Sequence, residues 1–264
     1  MSAIRFGFSP CPNDTFAFHA LTHGLVETAL EIEPVMLDIE ELNRRARSGE
    51  LELSKLSFGA LAGLGERYRL LRSGAALGFG CGPLVVAREP LSLEQAAAGP
   101  VAVPGRLTTA FLLLRHFAPR LGEVVELRYD RILEAVASGE VAAGLIIHES
   151  RFTYGEHGLA CVSDLGELWE RETCLPTPLA GIFARADLDE DVRAEAERAI
   201  RASVAYTFAN PGASFEFVRE NAQELSEEVR SAHIALYVNE LSLDLGDAGM
   251  RAVESLLEQA RTDS

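Results

Sequence analysis

The chain has 264 residues, 48% hydrophobic and 24% charged, so it can bury a sizeable core and disorder is excluded as the default. A formal net charge of −16 argues against a broad nucleic-acid surface, which needs clustered Lys and Arg. The longest apolar runs, such as Val141 to Ile147, fall far short of the roughly 20 residues of a membrane helix, and the opening MSAIRFGFSPCPND lacks a signal peptide's h-region and cleavage site.

Short apolar strands alternate with amphipathic helices. Ala3 to Phe8 reads as a strand. Ser9-Pro10-Cys11-Pro12-Asn13-Asp14 is a turn in which Asn13 or Asp14 caps a helix that runs to Gly24. Glu31 to Leu37 is strand-like, Ile39 to Ser48 is a helix stopped by Gly49, and Leu51 to Leu56 is a strand. Val85 and Val86 sit in another. Pro90 to Pro100 reads as a polar, Ala-rich connector. Then come a strand at Val101 to Val103, a turn at Pro104-Gly105 and a helix from Thr108 to Phe117. Val124 to Tyr129 is a strand, Ile132 to Ser138 a helix, and Ala142 to Ile147 a buried strand. Pro176 and Pro178 mark a return segment before the strand Leu179 to Phe183. From Asp191 onward the pattern is helical over Val192 to Phe208, Phe215 to Leu225, Val229 to Leu241 and Ala248 to Ala260, with a break at Asn210-Pro211-Gly212.

This alternation implies an α/β protein with parallel β-α-β units, whose ligand site lies at the rim formed by the strand C-termini. Two crossings, near Ala87 to Leu91 and Leu175 to Gly181, predict two lobes. Residues 1–89 and 181–264 form a discontinuous large lobe, 90–180 a small one, and a ligand cleft lies between them.

Candidate binding groups follow from this layout. The first helix N-terminus, with Asn13 and Asp14, favours an anion. Lys55-Leu56-Ser57 follows the strand that starts at Leu51 and so reaches the rim. Thr108 and Thr109 place hydroxyls beside free helix N–H groups, or else simply cap the helix. His148 begins where the buried strand ends, where an imidazole suits proton transfer near neutral pH. The other histidines, His233 among them, look structural or exposed. Cys11, Cys81, Cys161 and Cys174 form no CxxC pair and read as reduced thiols of a cytoplasmic protein. Cys11 sits just before a helix N-terminus, which would lower its pKa. No metal-ligand spacing, P-loop, nucleophile elbow or dinucleotide fingerprint occurs, so neither a metal nor a cofactor is expected.

Taken together and in order, GFSPCPNDTFAFHAL, SKLSFGAL, RSGAALGFGCGPLVV, VAVPGRLTTAFLLL and AGLIIHESRFTY resemble the 1,4-dihydroxy-6-naphthoate synthase family. The resemblance runs from about Arg5 to about Leu243. It implies a periplasmic-binding-protein-like (type II) fold with no transport role. It also implies a lyase of the futalosine route to menaquinone, acting on a carboxylate-bearing small molecule with no nucleic-acid or membrane partner. His148 matches the family's proposed base; Lys55-Leu56-Ser57 and Thr108-Thr109 match its substrate-contacting segments. A solute-binding protein and a chorismate dehydratase share the fold and are the competing readings, and the oligomeric state stays open.

Overall fold

The computed structural model describes residues 3–223 and 226–262. The chain runs β1 (Ile4–Phe8), α1 (Pro12–Thr22), β2 (Ile32–Met36), α2 (Ile39–Ala46) and β3 (Leu53–Ser57). A 3-10 segment at Phe58–Gly63 leads to β4 (Tyr68–Leu70) and β5 (Ala76–Gly78). Next come β6 (Leu84–Ala87), α3 (Leu93–Ala98), β7 (Val101–Val103), α4 (Thr109–Phe117), β8 (Val124–Glu126), α5 (Ile132–Ser138) and β9 (Ala143–Ile146). After α6 (Ser150–Thr153), β10 (Ala160–Asp164) and α7 (Leu165–Thr173), the long β11 (Thr177–Arg185) returns. The chain ends in α8 (Glu190–Ala209), α9 (Phe215–Asn221), α10 (Glu227–Tyr237), α11 (Glu240–Leu243) and α12 (Gly246–Thr262).

Two sheets result. The first has the order β2-β1-β3-β11-β4, with β5 also paired to β11; the second is β10-β6-β9-β7-β8. The expected parallel pairing holds for β2-β1-β3 and for β9-β7-β8. It fails for β6, β10 and β11, which run antiparallel to their neighbours. None of these strands is joined to its sheet neighbours by a consecutive β-α-β unit, so no helical crossover imposes a parallel direction.

Several sequence expectations shift. β6 belongs to the second sheet, so the first passage between sheets lies at residues 79–83, ahead of the expected Ala87 to Leu91. β11 begins at Thr177, two residues ahead of the expected Leu179, so Pro178 lies inside the strand and not in the return segment. Cys11, not Asn13 or Asp14, is the N-cap of α1, because Pro12 at the first helical position is already set for helix. The connector at 90–100 contains α3, which Ser92 and Gln95 close with a capping box. β4, β5, β10, α6 and α7 carry no clear signal in the sequence, being short or mixed in pattern. The helix expected over Phe215 to Leu225 ends at Asn221, and residues 224 and 225 lie outside the described ones. No described helix is long and apolar enough to cross a membrane.

The apolar spacing explains the packing. Phe6, Phe8 and Phe18 meet at ring-centroid distances of 5.0–5.5 Å and anchor α1 to the first sheet. The second sheet buries Val86, Ala102 and Ile146 against Ile132 and Val136 of α5. A third cluster bridges the units, joining Leu56 and Phe58 of the first to Val103, Leu114 and Trp169 of the second.

Candidate active site

Between the two sheets lies a cavity lined by residues of both, among them Lys55 and Ser57 of the first and Thr109 and His148 of the second. The first turns of α1 and α4 both line it, through Asn13 and Asp14 and through Thr108, Thr109 and Ala110. The leading N–H groups of a helix lack intrahelical partners and carry its positive end. The cavity therefore has two anion-favouring edges.

The α1 edge is already filled by protein. The Asp14 carboxylate accepts from Ser9 N (3.1 Å), Ser9 Oγ (2.8 Å), Asn13 Nδ2 (2.8 Å) and Lys55 Nζ (2.8 Å). Lys55 also donates to Gly74 O at 3.0 Å, and its side chain is 4% exposed. Lys55 lies within β3 rather than beyond it, and its charge is compensated by Asp14. Its sequence reading as a rim cation shifts to a buried ion pair that borders the cavity. Leu56 points the other way, into the core, as strand alternation requires. Ser57 shares the face of Lys55 and lines the cavity; its Oγ accepts from Asn43 Nδ2 (3.0 Å), and its N–H donates to Asn43 Oδ1 (2.9 Å).

At the α4 edge, Thr108 is the helix cap. Its Oγ1 accepts from Phe111 N at 3.1 Å and donates to Gly105 O at 2.8 Å. The Thr109 hydroxyl ties the units together, accepting from Gly59 N (3.0 Å) and donating to Leu179 O (2.6 Å). Both hydroxyls hold the loop, so the backbone N–H groups at the start of α4 are the better donors to a ligand.

His148 stands two residues past β9 with φ 58°, a left-handed conformation unusual for a residue with a Cβ. Such strain clusters at functional sites. Its ring lies edge-on to Tyr129 at 4.9 Å and nearly parallel to His233 at 6.3 Å. Its Nδ1 is 3.4 Å from Cys11 Sγ, and its Nε2 has no hydrogen-bond partner among the described residues. Three residues on, Arg151 anchors the turn by donating to Gly82 O (2.7 Å) and pairing with Asp164 (2.6 Å).

Burial, reinforced by Glu149, pushes the Cys11 thiol well up. This reverses the lowering expected from the helix N-terminus: Cys11 is a neutral thiol beside His148 and no activated nucleophile.

Two features escaped the sequence. His233, 220 residues from Asn13, lines the cavity and donates from Nε2 to Asn13 Oδ1 at 2.9 Å. That bond fixes the tautomer and leaves Nδ1 an acceptor with no partner among the described residues. Burial, and then His148, lower its pKa well below the ordinary imidazole value, so it stays neutral. Nothing in the helical pattern around His233 marks it apart from a core residue. The second is a cluster of donors. Ligand atoms of Cys11, His148 and Glu149 all lie within 4.8 Å of one another. The expectation of no metal-binding group rested on local spacing, which cannot see residues 137 positions apart.

A family profile described as menaquinone biosynthesis matches residues 4–262. The chain belongs to the menaquinone biosynthesis family. Curated relatives in it are enzymes. The chain is 56% identical over 260 residues to the 1,4-dihydroxy-6-naphthoate synthase of Thermus thermophilus, covering 98% of this chain and 94% of that one. It is 42% identical over 265 residues to the enzyme of the same name from Streptomyces coelicolor, covering 98% and 93%. A crystal structure of an Archaeoglobus fulgidus protein superimposes with a TM-score of 0.93 at 41% identity, covering 98% and 97%. The Escherichia coli periplasmic aliphatic sulphonate binding protein shares the fold alone, with a TM-score of 0.65 at 14% identity and coverage of 98% and 87%. This menaquinone-family member thus has the periplasmic-binding-protein-like fold that its motifs implied.

Proposed function

We propose that the protein is a 1,4-dihydroxy-6-naphthoate synthase. It would act as a carbon–carbon lyase, converting cyclic dehypoxanthine futalosine to the naphthoate with release of a three-carbon fragment, dihydroxyacetone. The full-length identity to two enzymes of that name carries the assignment. The cavity chemistry supports it.

Cleavage in a retro-aldol sense needs a base to take a proton and donors to hold the oxygen that gains charge. The His148 imidazole, strained and with Nε2 unpartnered, is the base in this reading. As the bond between ring system and sugar remnant breaks, its electron pair passes towards the ring carbonyl, and aromatisation favours the step. His148 takes its proton from the hydroxyl whose oxygen becomes the ketone of the departing fragment, and returns it to the ring oxygen that has gained the charge. The N-terminal N–H groups of α4 hold the substrate carboxylate, because the α1 edge is saturated by Asp14 and Lys55. His233 Nδ1 accepts from a substrate hydroxyl.

The test is direct. Purified protein is incubated with cyclic dehypoxanthine futalosine and the naphthoate is followed by absorbance and mass. Stoichiometric naphthoate and dihydroxyacetone are expected; binding without turnover would overturn the enzymatic assignment in favour of a solute-binding role.

A further inference from the structure

We propose that Cys11, His148 and Glu149 form a binding site for one thiophilic divalent cation, Zn²⁺ in particular, and that its occupancy switches the enzyme off by capturing His148. The inhibitory half rests on the reading of His148 as base; the binding half does not.

The geometry is close to that of a zinc site. A tetrahedral ion with a Zn–S bond of about 2.3 Å and a Zn–N bond of about 2.0–2.1 Å sets sulfur and nitrogen about 3.5 Å apart. Cys11 Sγ and His148 Nδ1 are 3.4 Å apart. The Glu149 carboxylate supplies the third donor within the same 4.8 Å span. Three protein ligands beside a cavity leave a fourth position for water or a ligand oxygen, the arrangement of open zinc sites.

The donor set selects the ion. Thiolate and imidazole favour zinc and its neighbours, whereas Mg²⁺ and Ca²⁺ want all-oxygen shells. Charge also closes: the thiol releases its proton to solvent as the sulfur–metal bond forms, and thiolate plus carboxylate neutralise the 2+ ion.

The frame is built before any ion arrives. Cys11 is fixed as the N-cap of α1 ahead of Pro12. His148 is held against Tyr129, and Arg151 pins the following turn to Gly82 and Asp164. Lys55 is paired with Asp14 of α1 and does not compete for the cluster.

Occupancy removes the base whichever nitrogen serves. Metal on Nδ1 takes that lone pair and leaves the ring proton on Nε2, so neither nitrogen can accept a proton from substrate.

The full chain is tested in a Cys161→Ser/Cys174→Ser background, which removes the two exposed thiols. Co²⁺ is titrated in and thiolate-to-cobalt charge-transfer absorption is read, with Zn²⁺ then displacing it. One equivalent of absorbing Co²⁺ is expected. Cys11→Ser should abolish the band, and Glu149→Gln should weaken binding at least about tenfold. Zn²⁺ should suppress naphthoate formation in step with occupancy, and EDTA should restore it. A folded background protein with no band, or a band that survives Cys11→Ser, overturns the site. Stoichiometric binding with undiminished turnover overturns the inhibitory half. If no naphthoate forms even without metal, the functional assignment fails while the cobalt titration still reads the site.

Discussion

His148 concentrates the chemistry at the scale of single residues. Its αL backbone makes Asn the informative replacement, since Asn tolerates that conformation better than most residues and keeps a polar group while losing the base. His148→Asn should lower turnover by about 10²–10⁴-fold. Calorimetric binding of the substrate and the melting temperature should stay near wild type. Retained turnover would move the base elsewhere, with Glu149 next to test. Lys55 is predicted to behave differently. It is half of a buried ion pair, and breaking such a pair costs about 3–5 kcal/mol. Lys55→Met should therefore show itself first in urea unfolding, and a normal unfolding midpoint with a raised KM would restore Lys55 to the substrate. Local pattern found His148 because a polar residue directly after a buried apolar strand is conspicuous. It did not find His233, whose role depends on Asn13 across the fold.

Helix α2 and the turn between β7 and α4 meet at one buried carboxylate. Glu40 of α2 accepts from Leu107 N at 3.3 Å, and a Cβ on Gly105 (φ 151°) would come within 2.3–2.5 Å of its carboxylate end. Burial raises the Glu40 pKa to about 7, against the opposing pull of Leu107 N, Asn43 and Arg44. The folded state thus holds this proton more tightly than the unfolded chain, whose ordinary value is 4.5. The stability it contributes is full below about 4.5 and is lost as pH rises through about 7. Glu40→Gln keeps an oxygen for Leu107 and removes the ionisation. The melting temperature of the variant minus that of wild type should therefore grow more positive from pH 5 to pH 8; a flat difference would show that Glu40 does not titrate in that window. The elements themselves were legible where capping and periodicity coincide, as at α2 after Asp38 and α4 after Thr108. The short α3 was hidden by an Ala-rich run flanked by Pro90 and Pro100, although Ser92 and Gln95 carry the capping signal.

Polar ties between the two units include Thr109 to Gly59 and Leu179, Glu40 to Leu107, Arg44 to Glu126 and His116 to Gln259. Gly59 lets the backbones approach: a Cβ there would sit 2.8 Å from Thr108 O. Gly59→Ala should force the units apart, costing about 1–3 kcal/mol in stability and weakening substrate affinity by calorimetry. Unchanged affinity would mean that this contact does not set the width of the cavity. The parallel pairs of each sheet were legible because local β-α-β units announce them. The boundary at β6 was not, because antiparallel pairing with β9 and β10 joins residues far apart in the chain and leaves no trace in local pattern.

The central place of β11 also sets a timetable for synthesis. It lies between β3 and β4, so the first sheet stays split until residues 177–185 have left the ribosome. All five strands of the second sheet are made before then. The half of the molecule that begins first therefore finishes last, and a nascent chain stalled ahead of Thr177 presents β3 with an open edge, the surface on which strand-pairing errors start.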